Sequence, residues 1–189
     1  MIRELTDFEQ RVLSIVKPLR AAKWQADFQW STLENRLLEM GNDYGGFELI
    51  PDFQRGHVWS HHQQVHYIEN CLRGVVASSG MLIQFNSPSW NDDDNNSDLP
   101  TGLQCVDGLQ RYTAVTEFVK GNIKAFGFTA QDLAGTQFCV KRMRMKVAVH
   151  DFTRREGLLE HYLSINAGGT PHSASEIERV RELLVKARQ

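Results

Sequence analysis

The chain has few cysteines, and no two of them stand at the spacing of a metal site. Only three occur among 189 residues, and they are far apart: Cys71, Cys105 and Cys139. An odd, scattered set does not support a disulfide framework, and the absence of a CxxC pair argues against a zinc ribbon. The pattern is typical of reduced, buried thiols in a cytosolic protein.

Long apolar runs and a strong charge bias are missing as well. No segment approaches the ~20 apolar residues that span a bilayer, and the charged start "MIRELTDFEQ" lacks the apolar stretch of a signal peptide. We therefore expect a cytoplasmic protein with no membrane partner. The formal net charge is only −2, so contact with nucleic acid requires a local basic patch. A content of 41% apolar and 23% charged residues predicts one globular domain over residues 1–189.

Several familiar catalytic and metal-binding motifs are absent. The chain has neither the GxxxxGK[ST] pattern of a P-loop nor a nucleophile-elbow motif for a Ser-His-Asp triad. His62 and His66 lie one helical turn apart, but the Glu of HExxH is missing. The acidic loop around residues 92–98 lacks the Gly and Glu that an EF-hand loop requires. We therefore predict neither a zinc nor a calcium site.

Helix and strand signals alternate along the chain. Apolar spacing predicts a helix from Phe8 that ends near Pro18. Further helices are predicted after four capping pairs, namely Ser31 with Glu34, Ser60 with Gln63, Thr153 with Glu156, and Ser173 with Glu176. Strands are predicted at 47–50, 81–85, 103–106 and 142–149, with a weaker one at 137–140. This alternation predicts an α/β (α+β) domain with a small mixed sheet and flanking helices.

The segment "QCVDGLQRYTAVTEFVKG" places three polar side chains where a strand becomes a helix. Asp107 is expected to cap a helix that runs to about Lys120, and Gly108 permits a sharp turn. The free backbone N–H groups of the first helical turn, together with Arg111, make a plausible anion or phosphate site. The simpler alternative is that Asp107 caps the helix and Arg111 pairs with a carboxylate elsewhere.

A second Gln-Arg pair, Gln54 and Arg55, also stands between a predicted strand and a predicted helix. Trp59 lies close by, and its ring suits either stacking on a base or packing on the core, which we favour for this residue. Two such pairs, each at a strand-to-helix junction, predict convergence on one anionic ligand.

The stretch "KRMRMKVAVH" alternates basic and apolar residues at the period of a strand. Its basic face carries Arg142, Arg144 and Lys146, which are candidates for contact with nucleic-acid phosphates. The alternative is a solvated outer face whose charges keep a strand edge from pairing.

Three segments together resemble a known family. "IPDFQRGHVW", "VDGLQRYTAVTEFV" and "YLSINAGGTPHSASEI" resemble, in order and spacing, the signature segments of the DGQQR-motif family. That family is the N-terminal domain of GmrSD-type modification-dependent restriction systems, and it is similar to phosphorothioation-sensing defence proteins. The resemblance runs over about residues 31–178. It implies a ParB/sulfiredoxin-like fold and nucleotide binding, with hydrolysis in characterised members coupled to action on DNA.

The resemblance also implies roles for particular residues. Catalytic roles fall on Asp107, Gln110 and Arg111, and nucleotide-binding roles on Gln54, Arg55, Gly108 and Asn166, the last near Gly168, Gly169 and Pro171. The implied ligands are a nucleoside triphosphate (GTP, ATP or CTP) and Mg²⁺, with Asp107 capping the helix, holding the ion or orienting water. Two positions depart from the family pattern: Leu109 replaces the first Gln of DGQQR, and Phe53 stands where Tyr is usual.

The implied partners are a nucleotide, DNA and a separate nuclease subunit, in a bacterial or phage-infected bacterial cell. Family members that cut DNA usually carry a C-terminal HNH-type nuclease domain, and we expect none before Gln189. A homo-oligomer is a further expectation. Two alternatives stay open: a DNA-binding module whose nucleotide site is degenerate because of Leu109, and phosphoryl transfer to a DNA base or small molecule.

Overall fold

Five short strands form one mixed sheet in the computed structural model, which describes residues 3–91, 96–166 and 174–189. The strands are β1 (Trp24–Gln29), β2 (Phe47–Glu48), β3 (Leu82–Asn86), β4 (Leu103–Asp107) and β5 (Arg144–His150). Their order is β1-β5-β3-β4-β2, so β3 is central. The β1–β5 and β3–β4 pairs are antiparallel, and the β3–β5 and β2–β4 pairs are parallel. The prediction of an α+β domain with a small mixed sheet is confirmed.

Six α-helices flank this sheet within the described ranges. They are α1 (Asp7–Val16), α2 (Leu33–Asp43), α3 (His61–Leu72), α4 (Leu109–Val119), α5 (Arg155–Asn166) and α6 (Ala174–Ala187). Short 3₁₀ turns span Trp30–Thr32 and Ser78–Met81. In the part of the chain that the structure describes, no helix combines the length and apolarity needed to cross a membrane.

Successive residues of β4 point to two separate cores. Cys105 belongs to a large core that α2, α3 and α4 complete, whereas Val106 belongs to a smaller core formed with α5 and α6. This alternation is the period-two pattern of a strand that is buried on both faces. The sheet is therefore the middle layer, and the end of β4 lies at the boundary where both helical layers meet it.

The capping pairs predicted from sequence have different outcomes. Ser60 and Gln63 form the predicted capping box, in which each side chain accepts from the other's backbone N–H, at 3.3 and 2.8 Å. The predicted cap at Ser31 is wrong, because a 3₁₀ turn begins at the buried Trp30 and delays the helix to Leu33. Helix α5 begins at Arg155, whose N–H donates to the distant Asp98 at 2.6 Å. Ser173 lies outside the described residues.

Strand predictions hold for four strands and fail at two places. Residues 137–140 form turns rather than a strand. Strand β1 was not predicted, although Trp24, Ala26 and Phe28 alternate with the exposed Gln25 and Asp27 at the strand period. The available signal was this alternation of apolar residues, two of them aromatic, with polar ones.

Candidate functional site

The turn from β4 into α4 depends on Gly108, which has φ +98° at the N-cap position. A Cβ there would lie 3.0 Å from Ile83 Cα and 3.1 Å from Leu82 O, both backbone atoms of β3. The prediction that Asp107 caps the helix is wrong, because no side chain caps α4. The carboxylate of Asp107 instead accepts from Arg111, one helical turn later, so the partner of Arg111 is not a distant carboxylate.

A cleft of about 380 Å³ opens beside this turn. Six of the predicted site residues line it: Arg55, Asp107, Gly108, Gln110, Arg111 and Asn166. The remaining lining is Trp59, Ser79, Gly80, Leu82, Gln84 and Ile165. The fold thus brings the arginines of the two Gln-Arg pairs to one cleft. We call it the two-arginine cleft.

Both cations of the two-arginine cleft are mostly withdrawn from water. The side chains of Arg55 and Arg111 are 18% and 21% exposed. Arg55 Nη1 lies 3.6 Å from the carboxylate of Glu176 on α6. The Nε of Arg111 is buried and finds no hydrogen-bond acceptor among the described residues. An unmet buried donor of this kind costs about 1–3 kcal/mol, so the Arg111 guanidinium is held in the fold with part of its hydrogen-bonding capacity unmet.

The amide of Gln110 holds the loop that carries Arg55. Its Oε1 accepts from the N–H groups of Val58 and Trp59, at 2.9 and 3.1 Å, and its Nε2 donates to Gly56 O at 3.0 Å. Helix α4 is thereby fastened to residues 56–59. Trp59 packs on the large core, as we favoured, and its ring also borders the cleft.

Gln54 lies behind the cleft rather than in its lining. It is 8% exposed, and its Nε2 donates to Val106 O at 3.2 Å. Its Oε1 accepts from the Tyr162 hydroxyl at 3.3 Å, and Phe53 beside it is fully buried. This amide therefore joins the Arg55 segment to β4 and α5.

Leu109, the residue that departs from the DGQQR pattern, lies in the core. Its side chain is 4% exposed and packs within the large core. The replacement of Gln by Leu therefore removes no donor from the lining of the cleft.

Asn166 is the last residue of α5, and its Nδ2 donates to Tyr162 O at 2.8 Å. It reaches the cleft beside Ile165. The neighbouring Gly168, Gly169 and Pro171 lie outside the described residues.

Gln84 is a residue of the cleft that the sequence interpretation missed. It lies on the central strand β3, and its Oε1 is 3.0 Å from Nε2 of His150. His150 is 2% exposed, and this burial lowers its pKa to about 4. The available signal was an amide between the buried apolar residues Ile83 and Phe85 of a predicted strand.

The basic strand residues lie apart from the cleft, since Arg142, Arg144 and Lys146 are not in its lining. Arg144 Nη1 donates to the carbonyl oxygens of Lys141 and Met143, and Lys146 pairs in register with Asp27. The interpretation that these charges protect a strand edge is wrong, because β5 lies between β1 and β3. Contact with nucleic acid stays a prediction for this face.

Thiol chemistry is disfavoured beside the cleft. Cys105 is fully buried, and burial raises its pKa to about 12. Among the described residues, no group of three or more His, Cys, Asp or Glu side chains is arranged to hold a metal ion.

Comparison with known proteins identifies one family. No curated protein and no solved structure matches the chain. The family described as "GmrSD restriction endonuclease, N-terminal domain" matches residues 35–147, more than half of the chain. The match contains β2 to β4, both cleft arginines and the Asp107 turn. The chain therefore belongs to the family of GmrSD restriction endonuclease N-terminal domains, whose context is restriction and phage defence.

Proposed function

We propose that this domain binds and hydrolyses a nucleoside triphosphate in the two-arginine cleft. We further propose that it does so as part of a restriction system that acts on or senses DNA. The observation that carries the proposal is that Arg55 and Arg111, from separate segments, line one cleft at the start of α4. Guanidinium groups and the free N–H groups of a first helical turn are the donors that phosphate prefers.

The size and charge of the cleft suit this ligand. Its volume of about 380 Å³ falls in the range of small-molecule sites, roughly 300–1,000 Å³. Arg111 lines the cleft, and its Nε is unpaired among the described residues, so its guanidinium has hydrogen-bonding capacity that Asp107 does not use. During hydrolysis, Arg55 and Arg111 would stabilise the negative charge that develops on the transferred phosphoryl group.

Asp107 is the residue of the cleft that fits Mg²⁺. Its side chain is 31% exposed, and Oδ2 is the carboxylate oxygen that accepts from Arg111. Mg²⁺ is commonly held by one or two carboxylates together with substrate phosphates, and when bound it neutralises phosphate charge. Asp107 would hold the ion while Arg55 and Arg111 orient the phosphate chain.

A thermal-shift screen with ATP, GTP and CTP, each with and without Mg²⁺, tests binding. A ligand at about 100 times its Kd stabilises the folded state by roughly 2.7 kcal/mol, which raises the Tm by several degrees. Phosphate release is then measured, and we expect it to disappear in Arg111→Gln. Arg36→Gln is the matched control, since Arg36 is 61% exposed and pairs with Glu39 on its own helix. An unchanged Tm with all three nucleotides would contradict the proposal.

The DNA part of the proposal is supported by the exposed side chains of Arg142 and Arg144. We expect duplex DNA binding to weaken as salt rises, and the double substitution to Gln to reduce the salt slope by about one for each phosphate that is no longer neutralised. Fluorescence anisotropy at several salt concentrations measures both. An unchanged salt slope in the double variant would remove this face from the DNA interface.

DNA binding without phosphate release would favour the alternative of a degenerate nucleotide site, whereas labelled γ-phosphate on an acceptor would favour phosphoryl transfer.

A further inference from the structure

Gln84 occupies a central place in the two-arginine cleft. In the sheet it pairs with Asp107 of β4 on one side and with Ala148 of β5 on the other. The β3–β4 register shifts immediately after it, an irregularity that is common beside active sites. Gln84 therefore lies next to the Asp107–Arg111 pair, at the end of the cleft where phosphates would be held.

The hydrogen bond to His150 fixes which end of the Gln84 amide faces the cleft. An amide oxygen only accepts, so Nε2 of His150 donates to Oε1 of Gln84 across 3.0 Å. The other tautomer would place a proton on Nδ1, which is buried without a partner among the described residues. Orphaned buried N–H groups are rarer than orphaned acceptors, which favours the proton on Nε2.

With its oxygen held by His150, Gln84 has its NH₂ group left to donate. That group makes no hydrogen bond with any described residue. Gln84 lines the cleft, so the NH₂ group is available to a ligand there. Its two protons form an uncharged donor beside the charged donors of Arg55 and Arg111.

His150 is held rigidly enough to set this orientation. Its ring packs against Phe152, with centroids 5.6 Å apart, and against His161 at 4.4 Å. Burial lowers its pKa to about 4, so the ring is neutral near pH 7 and carries a single N–H.

We infer that Gln84 is a third, uncharged donor to the phosphate chain, and that His150 is the positioning residue that turns its amide NH₂ toward the ligand. The inference rests on the proposed function and adds to it a contact outside both Gln-Arg segments. Arg111 is already engaged by Asp107. A neutral donor beside that pair adds a hydrogen bond to phosphate without adding a charge to the cleft.

Isothermal titration calorimetry of Gln84→Glu and Gln84→Ala tests the ligand contact. The probes are inorganic tripolyphosphate and the three nucleoside triphosphates, all with Mg²⁺. Glu has nearly the shape of Gln but offers no donor and adds a charge beside Asp107, so we expect about tenfold or greater loss of affinity for every probe that the wild type binds. Gln25→Glu is the control, because Gln25 is an exposed residue of the outer strand β1.

The outcomes separate this inference from the proposed function. Wild-type affinity in Gln84→Glu would overturn the inference and leave the proposed function standing. A loss for nucleotides but not for tripolyphosphate would also overturn it, because the contact would then be to the nucleoside. No binding of any probe by the wild type would overturn the proposed function itself, and the inference with it.

A matched pair of substitutions tests the positioning role of His150. His150→Gln keeps an amide N–H near the position of Nε2, whereas the shorter His150→Asn does not reach Gln84. We expect His150→Gln to retain tripolyphosphate affinity and His150→Asn to lose most of it, at a temperature where circular dichroism shows both folded. Long-range ¹H–¹⁵N spectra should show the Nε2–H tautomer of His150 in the wild type. Equal affinities in the two variants, or the Nδ1–H tautomer, would overturn the assignment.

Discussion

At the scale of single residues, the two members of each Gln-Arg pair have different tasks. The amides of Gln54 and Gln110 bond to backbone or to a buried hydroxyl, whereas Arg55 and Arg111 supply the cations in the lining of the cleft. In each pair, an amide fixes the chain next to a cation. This arrangement orients the guanidinium groups before a ligand arrives, which reduces the cost of ordering them on binding.

The role of Gln110 predicts a measurable loss of stability. Gln110→Ala removes three hydrogen bonds to residues 56–59, and we expect the free energy of unfolding to fall by about 2 kcal/mol. Urea denaturation measures this. Gln25→Ala, at an exposed position of β1, should change it by less than about 0.5 kcal/mol. Equal stability of the two variants would contradict the role assigned to Gln110.

His150 predicts a pH dependence of stability. Its pKa in the fold is about 4, below the ordinary value of 6.5, because burial disfavours the charged ring. The unfolded state therefore takes up the proton first as the pH falls. The stability that the neutral ring supports is complete above pH 6.5 and is lost progressively toward pH 4, by about 2 kcal/mol between pH 7 and pH 5.

Urea denaturation at pH 7 and pH 5 measures this loss against His150→Gln, which has no titrating ring. His161 is shifted in the same direction by burial and remains in both proteins. Arg20 and Asp151, which act on His150 in opposite senses, also remain. The variant should lose less stability than the wild type over this interval, and an equal loss would contradict the shift.

At the scale of elements, the turn between β4 and α4 decides whether the cleft forms. Gly108 and Gly121 stand at the two ends of α4, and both have positive φ, +98° and +80°. A Cβ on Gly108 meets the backbone of β3 at 3.0 Å, whereas a Cβ on Gly121 meets nothing within 4 Å. The two positions therefore share the backbone strain but differ in the clash.

Gly108→Ala and Gly121→Ala form a matched pair for this element. The positive φ costs each variant about 1 kcal/mol, and the clash should cost Gly108→Ala at least about 2 kcal/mol more. Differential scanning calorimetry compares the Tm values. Nucleotide binding should weaken in Gly108→Ala alone. A similar Tm for both variants would contradict the close approach of α4 to β3.

Predictability from the sequence also differs from element to element. The helices follow apolar spacing and caps, and Ser60 with Gln63 behaves as its local sequence predicts. Asp107 does not, because the positive φ of Gly108 turns the chain and moves the N-cap by one residue. Whether Asp107 or Gly108 becomes the N-cap depends on how closely β3 approaches the turn. No local sequence pattern contains that information.

At the scale of the whole molecule, the convergence of Arg55 and Arg111 was predictable, but the place of Gln84 in the same cleft was not. Both arginines follow strands that pair in parallel, β2 and β4, so the ends of these strands meet at one edge of the sheet. Gln84 and His150 meet only because β3 lies between β4 and β5. That strand order depends on how distant segments pack, and the residues carry no local sign of it.

The most direct test of the account is nucleotide binding by Arg55→Gln and Arg111→Gln, measured by isothermal titration calorimetry with Mg²⁺. Each substitution keeps a polar side chain but removes a cation from the cleft, and hydrogen bonds to charged groups are worth roughly 1.5–3 kcal/mol. The account predicts that the wild type and Arg36→Gln bind at least one of ATP, GTP and CTP alike, and that each cleft variant binds it at least about tenfold more weakly. Wild-type affinity in either cleft variant, or no binding of any of the three nucleotides by the wild type, would contradict it.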